Sequence, residues 1–438
     1  LMAAWWVTEA LPIAATALLP LVLFPPLGIA TLNAAASPYA NPIIYLFLGG
    51  FLLAAALQRV QLHQRLALEI ITLVGTRPDR LVLGFIVATA AISMWVSNTA
   101  TVVMILPLAM PVLELVRAAG VGTAMTDDAA HDFEVALLLG IAYAASIGGL
   151  GTLIGTPPNA LLAGFMADSF GTPIGFGRWM LVGIPMVLVG LPLTWLLLTR
   201  VVYRVSRDPL PGAASLVATQ RTSLGPIRGE EWVVGGIVGA AAACWILQPF
   251  LARFIPGLTE PAIGIAAALL LFIVPAGDGE PVLQAPALER VPWGVLVLFG
   301  GGLSLAAAIQ DSGLAAWLGG SLQALRAYPL VVVMLIVATV VVFLSELTSN
   351  TATAAAFIPL AAALAGGIGA EPVMLVVTTA VAASLGFMMP VGTPPNALVF
   401  GTGRVRIAEM ARAGFLVNLV MIAVVVAICY WGAGRLAG

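Results

Sequence analysis

Ser97-Asn98-Thr99-Ala100-Thr101 and Ser349-Asn350-Thr351-Ala352-Thr353 are one pentapeptide repeated 252 residues apart in a chain of 438. Each interrupts a long apolar stretch: residues 81–96 and 100–116 flank the first, 330–344 and 352–364 the second. The copy continues outward. Leu46-Phe47-Leu48-Gly49-Gly50-Phe51-Leu52-Leu53-Ala54-Ala55-Ala56-Leu57-Gln58 precedes Leu298-Phe299-Gly300-Gly301-Gly302-Leu303-Ser304-Leu305-Ala306-Ala307-Ala308-Ile309-Gln310 by the same 252, with nine of the thirteen pairs identical. Gly155-Thr156-Pro157-Pro158-Asn159-Ala160-Leu161 returns as Gly392-Thr393-Pro394-Pro395-Asn396-Ala397-Leu398 at an offset of 237. The 15 residues between the two offsets fit the longer polar loop over 118–132. Apolar low complexity imitates matches of Leu and Ala, but not two polar motifs in one order, so the chain is a duplication.

The composition names the solvent. Hydrophobic residues make up 61% and charged residues 9%, whereas soluble domains run near a half and about a quarter. A globule of this size in water has no way to hide that much apolar surface, so the chain belongs in lipid. A cytosolic enzyme, a nucleic-acid binder and a disordered chain are excluded. The net charge of −2 gives no bulk attraction for polyanions. All 18 basic residues are Arg, which removes any site built on lysine. Cys244 and Cys429 sit in apolar runs and read as small buried hydrophobes. With Leu1 first, the natural start is expected upstream, and 10–28 does not read as a signal peptide.

At ~20 apolar residues per spanning helix, residues 1–42 form an N-terminal transmembrane scaffold segment with a span over 11–29. The first repeat covers 43–202: a span at 43–58, an amphipathic interfacial helix at 60–75, a hairpin at 81–116, a broken helix at 134–167 and a span at 180–202. A polar cytoplasmic linker, 203–231, follows. Scaffold helices near 232–249 and 262–274 occupy 232–291. The second repeat, 292–438, has a span at 292–310, an amphipathic stretch at 311–326, a hairpin at 330–364, a broken helix at 372–401 and a last span at 414–431. Five crossings separate the copies, or seven if both hairpin arms span; either odd number inverts the second copy. With Arg59, Arg65, Arg77 and Arg80 inside, fourteen arginines are cytoplasmic and only Arg178, Arg253, Arg326 and Arg435 are outside, as the positive-inside rule expects. The first hairpin then enters from the cytoplasm and the second from outside. The expected fold class is an all-α polytopic membrane protein with two inverted-topology repeats, re-entrant helical hairpins and discontinuous transmembrane helices.

Paired helix breaks in inverted halves point to a binding site near the bilayer midplane. Irregular backbone at that depth is tolerated only where it is buried or lines a cavity. The four breaks offer Ser, Thr and Asn side chains, freed N–H groups at helix starts and freed carbonyls at helix ends. Helix starts favour anions; carbonyls and hydroxyls suit a hard cation such as Na⁺. No Arg, Lys or His lies in any of the four motifs. A dianion there is balanced by helix ends, hydroxyl and amide donors and co-bound cations, because an uncompensated buried charge is very costly. Glu346, inside an apolar arm and matched by Met94 in the other half, is a candidate for gating or an ion pair. His63 is expected at the surface, Trp5 and Trp6 in an interfacial belt. Asp127, Asp128, His131 and Asp132 read as a solvated loop rather than a metal site.

Two Ser-Asn-Thr tips, each followed by a Gly-Thr-Pro-Pro-Asn break, resemble the divalent anion:sodium symporter family, that of the "I'm not dead yet"-type dicarboxylate transporters. The likeness covers essentially the whole chain. It implies a homodimer in the bacterial inner (plasma) membrane, with a static scaffold and a moving transport domain working as an elevator-type transporter, not an enzyme. It places one sodium site at Ser93, Ser97, Asn98 and Gly155 and a second at Ser345, Thr348, Asn350 and Gly392. It brings the substrate carboxylates to Asn98, Thr99, Thr156 and Pro157 from one half and to Asn350, Thr351, Thr393 and Pro394 from the other. The family's exchangers carry basic residues where sodium would sit; none stands here, which favours sodium coupling. Sulfate-type relatives often carry a large insertion between halves. The short linker 203–231 favours C4-dicarboxylates such as succinate, malate and fumarate. Ser345 stands where relatives often have Thr, which keeps the hydroxyl. The implied function is sodium-coupled import of a small dicarboxylate across the bilayer. The alternatives are a dicarboxylate antiporter or a tricarboxylate or sulfate carrier of the same fold.

Overall fold

Both polar pentapeptides fall where one helix has stopped and the next begins. The computed structural model describes residues 1–120, 126–277, 279–321 and 323–436. Residues 121–125, part of the loop expected to absorb the change of offset, lie outside the described residues. The N-terminal segment is a run of short helices: α1 (Met2–Thr8), α2 (Ile13–Thr16), α3 (Leu19–Leu23) and α4 (Leu32–Ala36). The first repeat holds α5 (Pro42–Arg59), α6 (Leu62–Val74), α7 (Pro78–Ser93), α8 (Asn98–Gly120), α9 (Asp127–Gly149), α10 (Pro157–Phe170) and α11 (Phe176–Leu196). The connecting region holds α12 (Ala213–Ser223), α13 (Gly229–Leu251), α14 (Glu260–Ile273) and α15 (Ala285–Glu289). The second repeat holds α16 (Trp293–Asp311), α17 (Leu314–Ser321), α18 (Leu330–Ser345), α19 (Asn350–Ile368), α20 (Pro372–Ala383), α21 (Pro394–Phe400) and α22 (Ile407–Gly432). Elements α5 to α11 correspond in order to α16 to α22. Among the described residues, eight helical segments are long and apolar enough to cross a membrane, so this is a multi-pass membrane protein.

Local chemistry sets the boundaries. Proline stands in the first turn of α5, α7, α10, α20 and α21, where its missing N–H costs nothing. Asn41 caps α5 by accepting from the Ile43 N–H at 2.9 Å, and Thr126 caps α9 through the Ala129 N–H at 3.3 Å. The stretch 11–29, expected as one span, is instead divided into α2 and α3. Pro12, Pro20, Pro25 and Pro26 punctuate it, and proline inside a helix removes a hydrogen bond and clashes with the preceding turn.

Glycines common to both repeats let the scaffold approach. A Cβ on Gly49 would sit 2.6 Å from the Gly264 backbone of α14, and one on Gly301 would sit 2.3 Å from Ala17 O. Thus α14 packs on α5 as the N-terminal segment packs on α16. The halves join through Phe47 and Phe299, whose rings meet edge-on at 5.0 Å. They also exchange partners: α10 packs on α16, α19 and α20, and α21 packs on α8 and α9.

Two further sequence expectations need correction. His63 is buried rather than at the surface, with Nδ1 3.3 Å from Leu57 O; the apolar face of α6 lies on α7 and carries His63 with it. Trp6 is fully buried, its Nε1 donating to Ile13 O at 3.1 Å, because α1 folds back on α2 instead of standing in an interfacial belt. The linker over 203–231 has structure of its own. It contains α12, which Arg65 helps fix by pairing with Glu231 at 2.6 Å and donating to Gly225 O at 3.0 Å.

Candidate binding site at the paired helix breaks

In the first half, α7 ends at Ser93 and α8 begins at Asn98. One terminal atom of the Asn98 amide lies among three acceptors: Ser93 Oγ at 2.8 Å, Ala145 O at 3.1 Å and Gly155 O at 3.3 Å; that atom is therefore the NH₂ donor. Ser93 Oγ in turn donates to Ala145 O at 2.7 Å. The hairpin tip, α9 and the break before α10 therefore meet in one knot of neutral oxygens. Only glycine fits beside it: a Cβ on Gly155 would sit 2.4 Å from Gly149 O, and one on Gly149 would sit 2.6 Å from the Asn98 amide.

The second half repeats the knot. Ser345 Oγ lies 2.8 Å from the Asn350 amide and 2.7 Å from Ala383 O. Thr156 and Thr393 hold the N-cap positions of α10 and α21 with nearly the same backbone, φ −144° ψ 142° and φ −142° ψ 146°, and Thr393 Oγ1 accepts from the Asn396 N–H at 3.3 Å. Both are buried, followed by Pro157 and Pro394 in the first turn. Ser97 Oγ accepts from the Ala100 N–H at 3.4 Å. Ser97 and Thr99 open onto a cavity of about 740 Å³ bounded by α5 and residues 282–292.

The structure thus brings together Ser93, Asn98 and Gly155 in one half and Ser345 and Asn350 in the other. Thr348 turns inward instead, its Oγ1 lying 3.1 Å from Leu344 O and 2.6 Å from Thr353 Oγ1. Gly392 packs on Glu346, whose Oε2 would be 3.1 Å from an added Cβ. Thr351 is half-buried at the start of α19.

Sequence reasoning passed over the motif's own asparagines. Asn159 Nδ2 donates to Gly149 O at 3.2 Å and Thr152 O at 2.8 Å, while Asn396 Nδ2 donates to Gly386 O and Met389 O, each at 3.0 Å. Each amide ties the two ends of its break together. Their presence in both copies of the motif was the signal. Behind each break stands a glycine of the following helix: a Cβ on Gly183 would be 2.4 Å from Leu150 O, and one on Gly414 2.2 Å from Phe387 O.

The halves differ in what holds the break from the hairpin side. In the first, Thr152 Oγ1 donates to Met94 O and accepts from the Gly155 N–H at 3.1 Å. In the second, the Glu346 carboxylate accepts from the Phe387 N–H at 2.6 Å, the Met388 N–H at 2.9 Å and the Met389 N–H at 3.1 Å. Asn418 of α22 adds its Nδ2 at 2.6 Å. Glu346 was a candidate for an ion pair; the structure gives it backbone amides instead. Asp127, Asp128, His131 and Asp132, expected in a solvated loop, instead lie in the first two turns of α9, because Thr126 caps the helix ahead of them; His131 Nε2 meets Glu409 of α22 at 2.7 Å, and Asp132 accepts from the Arg204 N–H at 3.1 Å.

Comparison with known proteins agrees with this architecture. The YdaH transporter of Alcanivorax borkumensis has a similar fold, with a TM-score of 0.63 and 16% identity over 92% of this chain and 87% of that one. The sodium-dependent dicarboxylate transporter SdcS of Staphylococcus saprophyticus is 42% identical over 98% of this chain and 84% of its own length. SdcS of Staphylococcus aureus strain USA300 is 44% identical with the same coverage. The family described as the sodium:sulfate symporter transmembrane region matches residues 1–434, so the chain belongs to that family of divalent anion:sodium symporters.

Proposed function

We propose that the protein is a sodium-coupled symporter that imports C4-dicarboxylates, succinate, malate and fumarate among them, across the inner membrane. The observation that carries this reading is the duplicated knot of Ser hydroxyl, Asn amide and backbone carbonyl, with no basic side chain in either motif. Neutral oxygens of this kind suit Na⁺, and a bound dianion needs such cations nearby. The relatives named as sodium-dependent dicarboxylate transporters support both the ion and the substrate class.

Sodium would be held by Ser93, Ser97, Asn98 and Gly155 and by Ser345, Thr348, Asn350 and Gly392. The carboxylates would meet Asn98, Thr99, Thr156 and Pro157, and Asn350, Thr351, Thr393 and Pro394. The inward turn of Thr348 leaves its carbonyl, rather than its hydroxyl, as the donor there. In this reading the two hairpins and broken helices move as one body against the N-terminal segment, α5, α13, α14 and α16, in an elevator cycle within a homodimer. The exposed apolar faces of α13 and α14, with Trp232, Phe250 and Leu269 on them, are compatible with burial in lipid or a partner.

The test is uptake of labelled succinate into proteoliposomes with and without a sodium gradient, in competition with malate, fumarate, citrate and sulfate. Sodium-dependent uptake blocked by C4-dicarboxylates, and abolished in Asn98→Ala and Asn350→Ala, is the expected result. Uptake that needs internal substrate but no cation gradient would instead identify an exchanger.

A further inference from the structure

The two knots share their hydroxyl and amide, but only one of them has a charge beside it. Glu346 is buried and follows Ser345 directly in the chain. Both of its oxygens act as acceptors. Oε1 takes the Phe387 N–H and Asn418 Nδ2, each at 2.6 Å, and Oε2 takes the Met389 N–H at 3.1 Å. The Met388 N–H reaches both, at 2.9 and 3.0 Å. A carboxyl that only accepts is the ionised form. No guanidinium stands among these partners, so the charge is hydrogen-bonded and not neutralised. The same carboxylate packs on Gly392, where an added Cβ would lie 3.1 Å from Oε2 and 3.2 Å from the Glu346 carbonyl oxygen.

The first half has nothing of this kind. Met94 stands in place of Glu346, and its Cε would be 2.9 Å from a Cβ on Gly151. Its break is held by the neutral Thr152 hydroxyl. The N–H groups around Glu346 are dipoles, whose field fades faster with distance than that of the net charge they surround. A cation a few ångströms away therefore still feels an attraction. In the effective dielectric of a buried protein site, such a charge changes ion affinity by about 10- to 100-fold, and the surrounding donors bring this toward the lower end.

We propose that Glu346 makes the sodium site of the second half, at Ser345, Thr348, Asn350 and Gly392, the tighter of the two, so that it fills first. This rests on the reading of the paired knots as sodium sites. The same charge opposes a dianion at the neighbouring Asn350 and Thr351 until sodium has arrived. Glu346 thus acts through the ion rather than on the substrate, and favours the order sodium before dicarboxylate.

The experiment measures sodium binding to the purified full chain in detergent, by labelled sodium and by the rise in melting temperature as sodium replaces choline at constant ionic strength. Wild type should show two phases whose half-saturation concentrations differ about tenfold. Ser345→Ala should remove the tighter phase and Ser93→Ala the weaker. Glu346→Gln should raise the tighter half-saturation about tenfold, so that the phases merge. Glu346→Asp keeps the charge while disturbing the hydrogen bonds, and should keep the phases apart. In proteoliposomes, the KM of Glu346→Gln for succinate at saturating sodium should not rise, whereas mere damage to the break would weaken ion and substrate together. Loss of the tighter phase in Ser93→Ala, a single phase in wild type, or equal weakening by Glu346→Gln and Glu346→Asp overturns the inference. The serine pair decides the order even if Glu346→Gln fails to fold. A wild-type protein that binds no sodium in preference to potassium would instead reject the sodium sites themselves.

Discussion

Replacing Glu346 with Ala removes the acceptor of four donors: the N–H groups of Phe387, Met388 and Met389, and Nδ2 of Asn418. Met388 and Met389 are only partly buried and can turn to water. Phe387 and Asn418 are fully buried and cannot. A buried donor left without a partner costs about 1–3 kcal/mol, so two of them cost about 2–6 kcal/mol. Removing the carboxylate also ends its own desolvation penalty, which is why exchanging whole buried polar pairs is often neutral. That relief is partial here, because the backbone donors remain. A kilocalorie shifts the melting temperature by about 2–4 °C in a chain of 150–250 residues, and by roughly half of that in one twice as long. The expected fall for Glu346→Ala is therefore roughly 4–8 °C, near the middle of the energy range. It can be read by thermal unfolding of the purified protein in detergent. Glu346→Gln keeps one acceptor oxygen and should lose about half as much. Met94→Leu, at the equivalent position of the first half, is a volume-conserving swap expected to cost under about 1.5 kcal/mol. A Glu346→Ala melting temperature no lower than that of Met94→Leu refutes the reasoning, because the second break would then be held by something other than this carboxylate.

Further perturbations test the rest of the site. Gly414→Ala places a Cβ 2.2 Å from Phe387 O and 2.3 Å from its carbonyl carbon. Both are backbone atoms, so the break must shift, and yield on size exclusion should collapse; Gly236→Ala, with open space at its Cβ, should be silent. Asn159→Ala and Asn396→Ala each free two carbonyls at a break and should cut succinate uptake at least about tenfold, the equivalent of 1.4 kcal/mol of site geometry. Equal activity in either variant would show that the amide does not shape the break. Arg65→Ala removes the clamp on the linker, so limited trypsin digestion should cut faster after Arg221 and Arg228. An unchanged digestion rate would mean that α12 is held by other contacts.

What the sequence made legible was whatever the duplication had copied. Ser93 with Ser345, Asn98 with Asn350 and Thr156 with Thr393 each occupy matching places in the fold, because inverted halves inherit the same local packing. The helix ends could be read from Pro157 and Pro394, whose rings fix the first turn. The divided N-terminal segment was less legible: hydropathy counts apolar residues over 11–29 and ignores the four prolines that punctuate them. Trp6 and His63 were misplaced for a related reason, since composition assigns them to an interface while tertiary packing buries them. Asn159 and Asn396 stood in plain view. A motif of Gly, Thr and Pro draws attention to backbone, and the amide that fastens the break was overlooked.

The partners of Glu346 show where a repeat stops being informative. Position 94 is Met, and the residue in the first break that corresponds to Met389 is Thr152. One half therefore closes its break with a neutral hydroxyl donating to Met94 O, and the other with a carboxylate accepting three backbone N–H groups. The solutions are chemically reversed: a side-chain donor to a backbone acceptor in one, a side-chain acceptor for backbone donors in the other. Both leave Asn159 or Asn396 to tie the ends of its break. The two halves thus share the geometry of the tips, while the supports behind them differ, each pairing backbone groups that its break exposes. Only the second support brings a negative charge into the membrane. Changing it with the first half intact separates the contribution of charge from that of shape, and this makes Glu346 against Met94 the sharper comparison than either serine against its twin.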